Sequence, residues 1–279
     1  MPRKKNFRHL GAIFASILCL GLLSAGCATV DGQQPNMMSL EQEKQLGRQH
    51  AEELKKQFKE SPDAELQAYV DRVGSRLAAV SPRQDLDYDF TVLEDPGFVN
   101  AAATGGGYMF VWTGLLGLCE NEAELAGVMA HELGHVISRH IGEQYTRAQV
   151  ASIVLGVVQA ASNSQAAQQA AEMGAGLAML SFSRQQELES DRIAVDMMLH
   201  AGYKPEALIT LFQKLGATEG ASGGPPAILR THPATSRRVQ ELEAIIAQYP
   251  LNTRQNSELF AERYQQSVLP RLPEEAKQH

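Results

Sequence analysis

The feature that most restricts how this chain can fold is the pentapeptide HELGH at residues 131–135. The flanking residues, LAGVMA before and VIS after, are apolar, so the pattern predicts a buried helix from a cap at Asn121 to about His140. Two histidines and a glutamate buried without partners would cost free energy. The helix must therefore face a compensating group, and a metal ion suits these side chains best.

The spacing within HELGH favours a metal site. His131 and His135 are separated by roughly 40° around a helix and about 6 Å along it, so both can bind one ion. Glu132 lies about 100° round from His131, where it can reach a water on the metal without being a ligand. We expect one Zn²⁺ per chain, with Glu132 taking the proton of a water that attacks a peptide carbonyl. The alternative, a surface helix with incidental histidines, is disfavoured by the apolar flanks.

A third ligand must come from elsewhere, because catalytic zinc commonly has three protein ligands. An HExxHxxGxxH extension is absent from the sequence, and His140 would lie on a different face of a continuous helix. In SFSRQQELESDRIA, Glu187 and Asp191 are four residues apart on a predicted helix. Glu187 could complete the metal site, and Asp191 could accept the free N–H of a ligand histidine. Glu189 is a competing ligand that points to the opposite side, and a solvated charged face remains the alternative.

The N-terminal 27 residues have the pattern of a targeting segment. A basic start precedes an apolar run from Leu10 to Leu23 and a small-residue stretch that ends at Cys27. This resembles a bacterial lipoprotein signal, which implies acylation of Cys27, periplasmic location and, because Ala28 follows, the outer membrane. An ordinary cleaved signal and an uncleaved anchor are the alternatives. We expect a signal peptide at 1–27 and a tether at 28–38.

Charge excludes one class of partner. The chain holds 25 basic and 32 acidic residues, a net charge of −7. The first 27 residues contain four basic side chains and no acidic one, so the remainder is more acidic still. No basic face for nucleic acid is indicated.

Cys119 would be the lone thiol after the signal, so no intrachain disulfide is expected.

The remaining pattern predicts an α+β fold that is mostly helical and has a small sheet. A metallopeptidase domain is expected at 39–250 and a polar, peripheral tail at 251–279. Helix starts are predicted at the capping box Ser39–Gln42, at Ser61-Pro62 and at His232-Pro233. Other helices are expected as a pair over 145–180 and at Leu180–Leu199, and strands at Tyr88–Leu93 and Tyr108–Trp112.

The motifs together resemble a known family. HELGHVISRH followed by SRQQELESD is similar to the HtpX and CAAX prenyl endopeptidase family of gluzincins, whose second motif is ExxxD after an SR pair. A late THPxxxxR element is matched by His232-Pro233 with Arg237 or Arg238. The resemblance covers about residues 40–245. It implies zinc ligands His131, His135 and Glu187, with Glu132 catalytic and Asp191 supporting a ligand. Only the N-terminal segment could span a membrane, so the chain is more similar to periplasmic, BepA-like lipoprotein members, without their tetratricopeptide repeats.

The same resemblance implies two further features. The stretch that holds Asn100, Gly106, Gly107 and Tyr108 is similar to the strand that lines the family's cleft. We expect the strand at Tyr108–Trp112 to lie at the edge of the sheet and to pair with an extended substrate. In some periplasmic relatives a histidine like His232 is thought to bind the zinc as a fourth ligand and close the site. The alternative is that His232 only begins a helix.

The expected function is that of a zinc metalloendopeptidase in quality control of the bacterial cell envelope. Its partners would be unfolded or misassembled envelope proteins, the outer-membrane protein assembly machinery and, through the lipid anchor, the membrane. The first alternative is a zinc-containing chaperone or assembly factor for outer-membrane proteins with little proteolysis. A complete HExxH motif disfavours it, because a structural zinc needs no general base. A zinc amidase that acts on cell-wall peptides is a weaker alternative.

Overall fold

The expected mostly helical α+β fold is confirmed. The computed structural model describes residues 35–161, 182–218 and 225–278, so the signal segment, Cys27 and the later part of 145–180 lie outside the described residues. The strands are β1 (Asp89–Leu93), β2 (Ala101–Ala103) and β3 (Tyr108–Trp112). The helices are α1 (Leu40–Gln57), α2 (Ala64–Ala78), α3 (Thr113–Leu118), α4 (Glu122–Ile137), α5 (His140–Ala161), α6 (Arg184–His200), α7 (Glu206–Ala217), α8 (Ala227–Thr231), α9 (Ser236–Ala247), α10 (Leu251–Gln255) and α11 (Ala261–Ser267).

Contacts divide the chain into two compact units. Residues 38–144 and 180–279 form one unit, which holds the sheet and the HELGH helix. The other includes the described residues 35–37 and 145–161, and within it the backbone N–H of Met37 donates to Thr146 Oγ1 at 3.0 Å. Among the described helices, none combines the length and the apolar character that crossing a membrane requires.

Side-chain caps begin several of the helices. Ser39 caps α1 in a capping box with Gln42, and Asn121 caps α4, as the sequence predicts. The expected start at Ser61-Pro62 is wrong, because Asp63 Oδ1 accepts two N–H groups of the first turn of α2. The expected start at His232-Pro233 is also wrong. His232 ends α8, and Thr235 caps α9.

The sheet corrects the expected position of β3. Its strand order is β1-β3-β2, with β1 parallel and β2 antiparallel to β3, so β3 is central and not an edge. Residues 59–61 bond to the outer side of β1, through Ser61 N–H to Val92 O at 2.8 Å and Glu94 N–H to Lys59 O at 2.7 Å. The short strand β2 is therefore the edge next to α4.

A close contact between helices sets the position of the two sequence motifs. An added Cβ at Gly134 would lie 2.9 Å from Ser190 Cα and 2.9 Å from its carbonyl oxygen. Real Cβ atoms do not approach backbone this closely, so only glycine permits this spacing of α4 and α6. The contact brings Glu187 and Asp191 over the HELGH residues.

The HELGH helix ends earlier than the sequence predicts. Arg139 has a φ of 60°, in the left-handed region that non-glycine residues rarely adopt. Its guanidinium donates to the buried Glu43 at 2.8 Å and to the Met38 carbonyl at 2.7 Å, which stabilises this conformation. The chain therefore changes direction here, and α5 begins at His140.

The segment after residue 250 is not a peripheral tail. It forms α10, α11 and two 3₁₀ turns, and it buries Tyr264, Val268, Leu272 and Ala276 in the main core. The sequence prediction was wrong because these apolar residues are spaced among polar ones on short turns. Arg263, in α11, pairs with Glu122 in the first turn of α4. The C-terminal segment thereby holds the start of the HELGH helix.

Replacement of Glu122 tests this contact. It is buried and also accepts from Tyr69 Oη at 2.6 Å and Tyr203 Oη at 2.8 Å. Glu122→Ala leaves two buried hydroxyls without this acceptor, so we expect the free energy of unfolding to fall by about 2–4 kcal/mol. Urea unfolding measures it, and Glu262→Ala, an exposed glutamate in α11, is the control. Equal stability of the two variants would show that the contact is not stabilising.

Candidate metal centre

Four buried side chains from three segments converge in the main unit. His131 and His135 come from α4, Glu187 from the first turn of α6, and His232 from the end of α8. One donor atom from each lies within 4.8 Å of the others. His131 Nε2 is 3.2 Å from His135 Nε2, and His232 Nδ1 is 2.8 Å from Glu187 Oε1 and 3.3 Å from His131 Nε2.

The residues present fit a metal ion. Three imidazoles and one carboxylate are nitrogen and oxygen donors of the kind that zinc prefers. Burial lowers the pKa of His135 well below its usual value, so its ring is neutral and can bind a metal. Burial would raise the pKa of Glu187, but hydrogen bonds with His135 and His232 outweigh it and hold the pKa well below the usual range. The cluster therefore offers a neutral nitrogen at His135 and an ionised carboxylate at Glu187.

Glu132 lies beside this cluster and next to β2. Its Oε2 accepts the backbone N–H of Ala103 at 3.3 Å, and its Oε1 is 3.5 Å from His232 Nε2. Within the described part of the chain, Oε1 is buried and has no hydrogen-bond donor aligned with it. This oxygen is available to a group that enters between the cluster and the sheet.

Asp191 and Arg238 support the cluster from behind. Asp191 Oδ1 is 2.9 Å from His131 Nδ1. The sequence predicts a contact of Asp191 with a ligand histidine but does not indicate which one. The Arg238 guanidinium donates to both oxygens of Asp191 at 2.6 Å, lies 2.6 Å from Glu187 Oε2 and covers the Phe212 ring at 4.3 Å. In the sequence, Arg238 stands out only as part of the THPxxxxR element. The pattern that could have indicated its role is its position six residues after His232.

His140 is a second residue that sequence reasoning missed. The break at Arg139 turns its side chain back to the HELGH helix, where His140 Nδ1 lies 3.0 Å from His135 Nδ1. Burial lowers the pKa of His140 to about 4, although Glu189 opposes the shift, so the ring is neutral at pH 7. Glu189, considered as a ligand from the sequence, instead accepts from Ser138 Oγ at 2.8 Å, and its other oxygen lies 3.5 Å from His140 Nε2.

The predicted cleft residues lie around the β2–β3 turn. The Asn100 carbonyl accepts the N–H of Trp112 at 3.1 Å. Gly106 and Gly107 have φ values of 90° and 103°, which only glycine adopts readily, and they form the turn between the strands. Tyr108 Oη accepts from Arg48 Nε at 3.1 Å. These residues shape the turn, whereas the backbone bonded to Glu132 belongs to Ala103.

This donor cluster, with a carboxylate beside it on an HExxH helix, defines the class of metal-dependent hydrolases. A family model described as peptidase family M48 matches residues 64–246. The chain belongs to this family of metallopeptidases.

The curated relatives agree with this family. The chain is 35% identical over 175 residues to the mitochondrial metalloendopeptidase OMA1 of Schizosaccharomyces pombe, covering 63% of this chain and 51% of that protein. It is 30% identical over 250 residues to the β-barrel assembly-enhancing protease of Escherichia coli K12, covering 84% and 51%. The OMA1 of Saccharomyces cerevisiae is 27% identical over 162 residues, covering 56% and 46%. The chain spans about half the length of these relatives.

Proposed function

We propose that this metallopeptidase is a zinc-dependent endopeptidase that cleaves misfolded or stalled proteins of the bacterial cell envelope. The observation that carries the proposal is the convergence of His131, His135 and Glu187 beside Glu132 and next to the β2 edge. One Zn²⁺ per chain would be held by these three side chains. Bound zinc supplies Lewis acidity, which makes water a stronger acid and a carbonyl carbon more electrophilic.

The chain's own residues handle the proton. Glu132 Oε1 would accept a proton from the attacking water and return it to the leaving amine. The absence of a hydrogen-bond partner for this buried oxygen among the described residues supports this role. Asp191 fixes the His131 ring through Nδ1, and Arg238 holds Asp191 in place. Burial of the cluster strengthens each of these charge interactions.

We propose that a substrate strand adds beside β2, because β2 and not β3 is the edge of the sheet next to α4. In the antiparallel β2–β3 pair, Asn100 and Thr104 bond to β3, so Ala101 and Ala103 present their backbone groups to the opposite side. The Ala103 N–H already points to Glu132. A peptide added to this edge would bond through its backbone, which suits substrates of varied sequence.

The cellular setting is proposed from two observations. The N-terminal segment that ends at Cys27 resembles a lipoprotein signal, which would anchor the protein to the outer membrane from the periplasm. One similar protein is named as a β-barrel assembly-enhancing protease. We therefore propose misassembled envelope proteins as substrates and the outer-membrane assembly machinery as a partner. In this setting the chain would be less similar to HtpX and the prenyl endopeptidases, which span the membrane, than to periplasmic members of the family.

The position of His232 favours a second candidate function. Its Nδ1 lies among the donor atoms, where it would take the fourth position on zinc. A resting protein with this position closed would cleave little and could act as a chaperone or assembly factor. The two candidates differ in whether opening the site produces cleavage.

The test of the main proposal is casein cleavage and self-cleavage by the purified protein. We expect about one zinc per chain by elemental analysis, loss of cleavage with a chelator and recovery when zinc is restored. A protein that binds zinc but leaves every substrate intact, with His232 either present or replaced, would support the chaperone candidate instead.

His232→Ala tests whether the site is closed at rest. If the closed form is favoured by about 1.4 kcal/mol, removal of the His232 imidazole should raise the rate of cleavage on the order of tenfold. Initial rates with casein measure the change, and zinc content should be unchanged because three ligands remain. His200→Ala, at an exposed histidine in α6, is the control. Unchanged or lower activity in the zinc-loaded His232 variant would contradict the closed resting state.

A further inference from the structure

The two histidines of HELGH have different partners behind the site. His131 Nδ1 faces Asp191 Oδ1 at 2.9 Å. His135 Nδ1 instead faces another histidine, His140, whose Nδ1 is 3.0 Å away. Both partners are fully buried. His140 is therefore a polar group that the proposed reaction does not use but that touches a ligand.

We propose that His140 is a positioning residue for the metal centre: its Nδ1 accepts the Nδ1–H of His135 and fixes the tautomer and orientation in which His135 Nε2 faces the metal. The inference rests on the metal site of the proposed function.

The geometry sets the direction of this hydrogen bond. His135 Nε2 points into the cluster, 3.2 Å from His131 Nε2 and 3.4 Å from Glu187 Oε1. A ring nitrogen that binds a metal carries no proton, so the ring proton of His135 lies on Nδ1 when Nε2 faces the metal. Two nitrogens 3.0 Å apart share one proton, so the Nδ1 of His140 is the acceptor. Ser190 Oγ is farther from this nitrogen, at 3.4 Å.

A carboxylate completes the chain of contacts. With Nδ1 as acceptor, the ring proton of His140 lies on Nε2, which is 3.5 Å from Glu189 Oε2. This is a long contact, but Ser138 Oγ donates to the other Glu189 oxygen at 2.8 Å and holds the carboxylate in place. Helix α6 thus orients His131 directly through Asp191, and His135 indirectly through Glu189 and His140.

Two variants separate hydrogen bonding from packing. His140→Leu fills a similar volume but cannot accept from His135, so we expect the Kd for Zn²⁺ and Co²⁺ to rise about 10–100-fold. His140→Asn places an amide oxygen near the position of Nδ1, so its Kd should stay within about threefold of the wild-type value. His50→Leu, at an exposed histidine in α1, is the matched control.

The measurements are chelator competition for Zn²⁺ and Co²⁺ titration followed by the visible absorption spectrum, on the purified full-length protein. Melting temperatures of the metal-free variants report on folding separately. A ¹⁵N-edited spectrum of the zinc-loaded wild type reports the two tautomers without any substitution. We expect a proton on Nδ1 of His135 and on Nε2 of His140.

The outcomes are distinct. A leucine variant that binds both metals as tightly as the wild type overturns the inference, as does an asparagine variant as weak as the leucine one. A proton on Nδ1 of His140 overturns it even when the leucine variant does not fold. If the wild type binds no metal, the proposed function fails as well. If the wild type binds metal and only the His140 effect is absent, the function stands and the positioning role does not.

Discussion

Replacement of Glu132 by Gln is expected to lower the rate of peptide cleavage at least about 100-fold, and up to about 10⁴-fold, while bound zinc is retained. Glutamine has the same shape but cannot take a proton from water. Glu132 is also not one of the four side chains whose donor atoms converge, so the metal ligands remain. Casein cleavage and zinc content, measured on one preparation, check both parts of the prediction.

The control for this variant is a glutamate with the same chemistry and no contact with the site. Glu243 is exposed in α9, and Glu243→Gln should cleave casein at the wild-type rate. If Glu132→Gln cleaves as fast as this control, Glu132 is not the general base. If it loses zinc together with activity, the carboxylate holds the site and the proposed division of roles is wrong.

Replacement of Arg238 by Met is expected to have the largest effect on stability. Burial alone would lower the pKa of Arg238, but Asp191 and Glu187 outweigh it and keep the side chain charged. Methionine removes this charge and leaves two buried carboxylates close together. Breaking a buried ion pair in this way costs about 3–5 kcal/mol. Urea unfolding of the metal-free protein should show this loss.

Zinc should restore part of the stability lost in the Arg238 variant, because a bound cation offsets the remaining negative charge. Arg237→Met is the matched control. Its side chain is 66% exposed and pairs only at the surface with Glu241, so we expect a change within about 0.5 kcal/mol. Equal stability of the two variants would mean that Arg238 does not balance the buried acids.

The helices and the ligand spacing could be predicted from the sequence because they depend on local rules. Ser39 and Asn121 cap their helices through side chains that reach only three residues. Glu187 and Asp191 share a face because they are four residues apart. The structure brings them to HELGH through the contact at Gly134.

The remaining features depend on contacts between distant segments. The apolar sequence of Tyr108–Trp112 is equally compatible with an edge strand and with a central strand. Only its pairing with both β1 and β2 shows that the strand is central. The left-handed turn at Arg139 depends on Glu43, almost a hundred residues earlier, and it changes the face on which His140 lies. Arg238 reaches the site because α9 packs against it. This packing cannot be predicted from the periodicity of the sequence.

The contact at Gly134 has a consequence for redesign of this centre. Ser190 lies one helical turn beyond Glu187, so any side chain at position 134 would push α6 outward and carry Glu187 with it. A residue that donates nothing to the metal therefore sets how far Glu187 lies from the two histidines of HELGH. Position 134 is where this spacing could be altered while every donor atom is kept.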